Sequence, residues 1–580
     1  MDTLKLNVLK DGLVNRFPDD LVVKWVRPCR PRILMLVDGS LGYQDNSGFG
    51  LWRFLHGLTV ASGVATKPIL TLADRGVHPT PTVTIGPDTY TIVNNFNFST
   101  ATTPVTLANY DQIWIFGFNS GAFSLSNAEA AVVSEFMNGG GGVFATGDHA
   151  SLGRALSGSL PRIRHMREWE KVPMGTESNA GLAIKRIDTV VNPGSNNLYE
   201  FEDQSDDIPQ RIYPNYQVTD TDGSAGSAWQ ATVSPLLMLP GALTVRRSSD
   251  ASPPAGFSKD IDVLPDHAHE SVCYDVTNAV TLGGAYNIHG QNFPEFQPNA
   301  SAPAQRVGAD IVAYAVSGGR SVSLGVWKPP VRPQMFGVIS AYDGRLAQAY
   351  PGKSQRPGRI VCDSTWHHFV NINLDGTGSG RTGLGTGSGA GFVPSPALEK
   401  IYSYYRNIVS WLQPANRIWC RIFWDLVAVR MNSALVEELL DVDRLVNWRD
   451  LVGLGREAKN LVALVHGHET VKDQILGLLT AEERTQRAAD LLMSDSLGAS
   501  SLDPEELMDG IYGSLLAEVA RLLPADADEK TAQKVLGEGP RAHLARLQER
   551  VAQSIQLGVK HQSARMEKGL SEARRLGAVA

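Results

Sequence analysis

The sequence predicts an α/β protein: a parallel sheet sandwiched by helices, carrying a long irregular insertion and followed by an all-α C-terminal region. Three observations lead there. Near-continuous apolar runs, Ile33 to Val37 (ILMLV) and Gln112 to Phe116 (QIWIF), are bounded by turn residues, as strands buried on both faces are. Helical patterns separate such runs, so the strands join through crossovers and lie parallel. Beyond Pro414 apolar residues recur three or four apart, which is a helical period.

The elements follow in chain order. After the first strand, Trp52 to Val64 reads as a helix. Ser126 with Glu129 three residues on makes a reciprocal helix start. That helix stops at Gly139 to Gly142, and Gly142 to Ala145 (GVFA) is the next strand. Residues of about 155–300, rich in Pro, Asn, Asp and Ser, read as an insertion with some strand content, including Ile261 to Leu264 (IDVL). Core elements return at Asp310 to Ser317 (a helix or a strand), Ser321 to Gly325 and Gly358 to Cys362. The Gly-, Ser- and Thr-rich tract Gly376 to Gly391 is expected to stay a flexible loop, and Ser395 to Leu412 is a helix rich in aromatics. Two helix starts stand out further on, Thr480 with Glu483 and Asp503-Pro504 with Glu506. Leu544, Leu547, Val551, Ile555 and Val559 form an apolar stripe. It packs on neighbouring helices or, in the sharper reading, docks a protein partner or a second copy of the chain. The domains expected are 1–414 and 415–580.

Composition bounds the function. A chain of 580 residues exceeds the usual length of one domain. A net charge of -7, from 53 basic and 60 acidic residues, does not suggest nucleic-acid binding. The lack of any run of about 18 apolar residues argues against a membrane span. Met1 to Lys10 lacks the build of a secretory signal. Cys29, Cys273, Cys362 and Cys420 are scattered with no CxxC pair, which excludes a disulfide scaffold and a thiolate zinc knuckle and implies a cytoplasmic protein. No nucleotide cofactor is indicated.

Ligands of open parallel sheets bind beyond the carboxyl ends of the strands, so residues at predicted strand ends are the candidates. Asp38 follows the first strand (VDGSLG), as a substrate contact or a plain turn residue. Asp148 and His149 follow GVFAT, as catalytic groups or, for Asp148, a helix cap. Asp363, His367 and His368 lie in RIVCDSTWHHF, with one of the two histidines expected to face a pocket. Asp266, His267, His269 and Glu270 (PDHAHE) end the IDVL segment. In an extended chain His267 and His269 project to one side, as ligands of a zinc-like divalent ion would, with Asp266 as the third ligand and Glu270 as a catalytic group beside them. Arg164 and His165, in a basic stretch with a tryptophan, would contact an anionic group, or else lie in a solvated loop. His466, His468 and Glu469 are not read as a metal site. Two chemistries use such groups: a metal-activated water, or direct acid–base catalysis by His with Asp or Glu.

Residues 31–150 and 358–412 resemble the class I glutamine amidotransferase-like superfamily, most closely its trehalose-utilisation (ThuA-like) branch. The resemblance rests on ILMLVDG, YDQIWIFG, LSNAEAAVVSEFMNGGGGVFATGDHAS and GRIVCDSTWHH. It implies a flavodoxin-like sandwich with the site at the turn after the glycine-rich segment. Where the amidotransferase turn reads G-x-C-x-G, this chain has Gly147-Asp148-His149-Ala150-Ser151, so His149 takes the nucleophile's place. His367 also lacks the glutamate two residues on. Thioester chemistry needs a thiolate there, so a glutaminase is not implied. Two functions are expected: a hydrolase acting on a polar small molecule, sugar derivative or amide, or a non-catalytic ligand-binding or scaffolding protein whose helical region, 415–580, binds partners.

Overall fold

The computed structural model describes residues 30–60, 67–148, 151–169, 209–220, 229–240, 246–247, 260–266, 272–288, 290–317, 334–432, 447–481, 483–493, 503–523 and 540–577. The chain divides into two compact units, one of Arg30–Leu239 with Val245–Pro414 and one holding Ala415–Ala580.

The first unit is an α/β fold around an eleven-stranded mixed sheet. In chain order its strands are β1 (Arg32–Val37), β2 (Ile69–Asp74), β3 (Thr82–Ile85), β4 (Asp88–Val93), β5 (Gln112–Phe116), β6 (Gly142–Thr146), β7 (Gln210–Pro214), β8 (Val263–Leu264), β9 (Asp310–Ser317), β10 (Gln334–Tyr342) and β11 (Ile360–Asp363). They lie in the order β8-β7-β9-β10-β11-β6-β5-β1-β2-β4-β3. The centre, from β4 to β11, is parallel. The margins are antiparallel: β3 pairs β4, and β10, β9, β7 and β8 extend the other side. An all-parallel sheet was expected; the insertion re-enters by antiparallel pairs instead of crossovers. It thus contributes β7 and β8 to the sheet itself. Asp310–Ser317 is a strand, and Ser321 to Gly325 lies outside the described residues.

Alternation along the central strands supplies two cores. Leu34, Leu36, Ile113, Ile115, Val143 and Ala145 turn to the face covered by Val133, Phe136 and Met137 of helix α1 (Asn127–Asn138). On the other face Trp114, Phe116 and Phe144 pack with Phe54, Phe369 and Tyr405: Phe54 stacks on Trp114 at 5.9 Å, and the other pairs meet edge-on or tilted with centroids 4.8–6.5 Å apart. Aromatic pairs at such spacing add to the hydrophobic gain of burial. Gln112, polar in this apolar run, is satisfied: its amide donates to the Val409 carbonyl and accepts from the Trp114 indole.

Local signals read from sequence act as expected in several places. Ser126 and Glu129 form a complete capping box on α1. Ser395 caps helix α2 (Pro396–Trp411), whose first residue is proline. The helix expected at Trp52 to Val64 is described as Trp52–Thr59, and residues 61–66 lie outside the described set. The tract Gly376 to Gly391, expected to be a flexible loop, is tied down. The Asp375 carboxylate accepts from Thr377 and ion-pairs with Arg53 at 2.8 Å. Leu384 is buried, and Gly385–Thr386 pairs with Val393–Pro394.

The second unit is helical: α3 (Ala415–Asn432), α4 (Trp448–His466), α5 (His468–Thr480), α6 (Glu483–Met493), α7 (Pro504–Leu522) and α8 (Pro540–Gly577). Leu507 through Ala520 of α7 are all buried, Asp509, Ser514 and Glu518 among them, so α7 is the centre of the bundle. Asp503 caps it by accepting from the Glu505 and Glu506 amides. The other expected start fails. Thr480 ends α5 instead of capping α6, and its hydroxyl donates back to the Gly477 carbonyl. Of the apolar stripe, Leu547 and Val551 join the bundle core, Ile555 packs beside it and Val559 is exposed; the Leu544 side chain lies outside the described residues. His466 pairs with Asp425 at 3.3 Å. No helix among the described residues is long and apolar enough to cross a membrane.

Candidate functional site

The ends of β1, β5, β6 and β11 form one rim of the sheet, and each delivers polar groups there. Asp38, directly after β1, is buried. Its carboxylate bridges to the end of β5, accepting from the backbone amides of Phe118 and Asn119. It is therefore more than a turn residue. Burial lifts its pKa to about 6, against those hydrogen bonds and helped by the neighbouring Asp74.

After β6 the chain doubles back so that the Asp148 amide donates to the Leu152 carbonyl at 3.0 Å. Glycines make the reversal feasible. Gly153 has φ +93°, and a Cβ on it would stand 2.8 Å from the Gly147 Cα, closer than any side chain tolerates. Asp148 does not cap a helix, since the next one, Arg154–Ser157, begins at Gly153 with no side-chain cap. Its carboxylate accepts instead from the Thr365 hydroxyl at 2.7 Å.

His367 is the group on which the rim converges. Its Nε2 faces Asp148 Oδ2 at 3.6 Å, and its Nδ1 lies 3.9 Å from Asp266 Oδ2 and 2.8 Å from Asn373 Oδ1. Both carboxylates are buried, whereas His367 keeps 8% exposure. Burial works against its charge, but Asp148 first, then Asp266 and Asn373, outweigh it and hold its pKa up at about 9. The imidazole is thus protonated at neutral pH, as a proton donor or anchoring cation would be. Trp366 stacks on it at 4.4 Å. Phe118 stacks on Trp366 in turn, and the exposed Phe49 meets that indole edge-on.

His368 has a different place. Its Nδ1 donates to Asp363 Oδ1 at 2.7 Å and its Nε2 to the Asp266 carbonyl at 2.9 Å. Asp363 also accepts from the Tyr404 hydroxyl at 2.8 Å and the Thr365 amide at 3.2 Å. Both ring nitrogens of His368 and both carboxylate oxygens of Asp363 are engaged inside the protein and both side chains are fully buried, so His368 is not the histidine that faces a pocket and Asp363 does not present the substrate contact expected of it. Burial opposes the His368 charge, yet Asp363 raises its pKa.

Arg164 and His165 lie elsewhere. Both engage the buried Glu295, Arg164 with two bonds of 3.1 and 2.6 Å and His165 at 3.3 Å. Burial raises the Glu295 pKa, but these partners overcome it and bring it down to about 2. The stretch is neither a free anion site nor a solvated loop: Arg162, Arg167 and Trp169 are buried. Arg167 donates to the carbonyls of Ser364, Asp363 and Asp148, which locks the rim from behind. His149, His267, His269 and Glu270 lie outside the described residues. Among the described residues no three His, Cys, Asp or Glu side chains are placed to share a metal ion.

Thr365, Asn373 and Tyr404 were not anticipated as parts of the site. Only Thr365 left a local trace, as the polar residue opening the short helical turn Trp366–His368, where it accepts from the His367 amide. The free cysteines, Cys273 and Cys362, are buried, and burial raises both thiol pKa values. Cys420 is disulfide-bonded. No family model, curated protein or solved structure matches the chain.

Proposed function

We propose that the chain is a hydrolase acting on a polar small molecule, sugar derivative or amide, built on a flavodoxin-like sheet of the glutamine amidotransferase-like superfamily, in its trehalose-utilisation branch. In its favour, β2, β1, β5, β6 and β11 lie in the order 2-1-3-4-5 once β3, β4 and the antiparallel strands β7 to β10 are set aside, and that order puts ligands at the carboxyl ends of the strands. The observation that carries the reading is the meeting of Asp148, Asp266 and His367, three residues far apart in sequence, at that rim.

In this reading His367 supplies the proton to the leaving group as general acid, with Asp148 orienting the imidazole and sustaining its charge. Asp266 is the second carboxylate beside the ring, and Asp38 binds substrate at the neighbouring strand end. Glutaminase chemistry is not part of it, since burial keeps Cys273 and Cys362 as thiols.

The test is turnover of p-nitrophenyl esters, glycosides and anilides by the full chain and by His367→Gln between pH 6 and 10. Hydrolysis of one class, reduced about 10²–10⁴-fold in His367→Gln and declining in the wild type above about pH 9, is expected. Undiminished turnover in His367→Gln defeats the proposal.

One observation favours the rival, a non-catalytic ligand-binding or scaffolding protein. In the helical unit α8 leaves Met566 and Leu570 exposed, as a partner-binding helix would. Monomeric sedimentation of the full chain, with no turnover in the panel above, would leave ligand binding without scaffolding.

A further inference from the structure

The histidine doublet carries one more conclusion. Adjacent in sequence, His367 and His368 are placed for different tasks. His367 keeps a little exposure and faces two carboxylates, whereas His368 is completely buried and meets acceptors at both ring nitrogens. A carboxylate and a carbonyl can only accept, so both ring nitrogens of His368 must donate. We infer that His368 is a positioning residue: bonded through Nδ1 to the Asp363 carboxylate and through Nε2 to the Asp266 carbonyl, it fixes where the Asp266 carboxylate stands against His367.

The surroundings supply the argument. Asp266 closes a segment anchored at each earlier step. The Tyr216 hydroxyl bonds Asp260, the Ile261 amide donates to Leu237, Lys400 pairs with Asp262 at 2.7 Å, and β8 pairs with β7. Past Leu264 the sheet no longer holds the chain, and the His368 Nε2 bond is a tie at Asp266 itself. Its far end is equally fixed. Asp363 belongs to β11, which pairs with β6 and β10 on either side, and Tyr404 of α2 holds the other carboxylate oxygen. The carbonyl and carboxylate of Asp266 belong to one residue. Holding the first therefore confines the second to the reach of a two-bond side chain, where it lies 3.9 Å from His367 Nδ1.

This inference rests on the reading that Asp266 and His367 belong to the functional rim, but its test does not use turnover. Hydrogen exchange of the peptide covering Asp260–Asp266 is measured in the full chain, in His368→Asn and in Tyr404→Phe. Tyr404→Phe removes one of the Asp363 bonds and leaves the tie to Asp266, so it serves as a control for general loss of stability. Exchange in that peptide should rise at least about ten-fold in His368→Asn and stay within about two-fold of wild type in Tyr404→Phe, even where both lower Tm. Equal exchange in the two variants overturns the inference. Nitrogen NMR of histidine-labelled wild-type protein decides it without any variant. At pH 7 both ring nitrogens of His368 should bear protons, and a bare Nε2 would refute the tie to the carbonyl. Loss of the hydrolase proposal through an active His367→Gln would leave both readouts unaffected.

Discussion

Asp148→Asn removes the strongest of the influences that keep His367 charged. The His367 pKa stands at about 9 against 6.5 for a free imidazole, a difference corresponding to about 3 kcal/mol of preference for the charged ring in the folded state. Because the folded value is the higher one, this stabilisation is fully present below pH 6.5 and is lost as pH rises through about 9. With Asn at position 148 the largest opposing influence is burial, which disfavours the charge. The midpoint should then fall by a unit or more, and the stability gained between pH 9.5 and pH 6 should shrink by about 1–3 kcal/mol. Carbon NMR of histidine-labelled protein follows the titration, with His367→Gln assigning the signal, and urea unfolding at the two pH values gives the free energies. A wild-type midpoint near 6.5, or one that Asp148→Asn leaves in place, would refute the electrostatic account of the rim.

Other expectations follow from the same contacts. Asp38 has its pKa raised to about 6 from 3.8, so its burial costs the folded state up to about 3 kcal/mol as pH climbs from 4 to 7; Asp38→Asn should remove that slope from urea-unfolding free energies, and an unaltered slope would contradict it. Glu295→Gln leaves Arg164 and His165 without their carboxylate and, since both cations are about a third exposed, should cost about 1–3 kcal/mol in urea-unfolding free energy; a loss below about 0.5 kcal/mol would show the cluster to be dispensable. Gly510 of α7 lies where a Cβ would enter the Trp448 ring, so Gly510→Ala should destabilise the helical unit by about 1–3 kcal/mol, read as unfolding free energy followed by tryptophan fluorescence. Ser126→Ala should cost about 1 kcal/mol by opening the capping box.

What was legible in the sequence was local or periodic. The runs at Ile33 to Val37, Gln112 to Phe116 and Gly142 to Ala145 became β1, β5 and β6, because strands buried on both faces read as near-continuous apolar runs. Ser126 and Asp503 act as caps because a cap depends on residues within one turn. The same rule misread Thr480, where the preceding helix claims the residue and its hydroxyl turns back to Gly477. The antiparallel margin escaped notice because β7 and β8 are brief pairings, and their register depends on partners far away in sequence. At the rim, strand ends singled out Asp148 and His367, whose side chains the structure brings to 3.6 Å of each other. They could not separate His367 from His368, whose roles differ through Asp363, Asp266 and Tyr404. Nor could spacing show that Arg164 and His165 are spent on Glu295, 131 and 130 residues away.

The central claim is that Asp148 and Asp266 act together on one imidazole, His367, and a double-mutant cycle on unfolding free energy at pH 7 tests it most directly. Asp148→Asn and Asp266→Asn are each combined with His367→Gln. Coupling of at least about 1 kcal/mol in both cycles is predicted, whereas effects that add within about 0.5 kcal/mol, as those of residues without contact do, would contradict it.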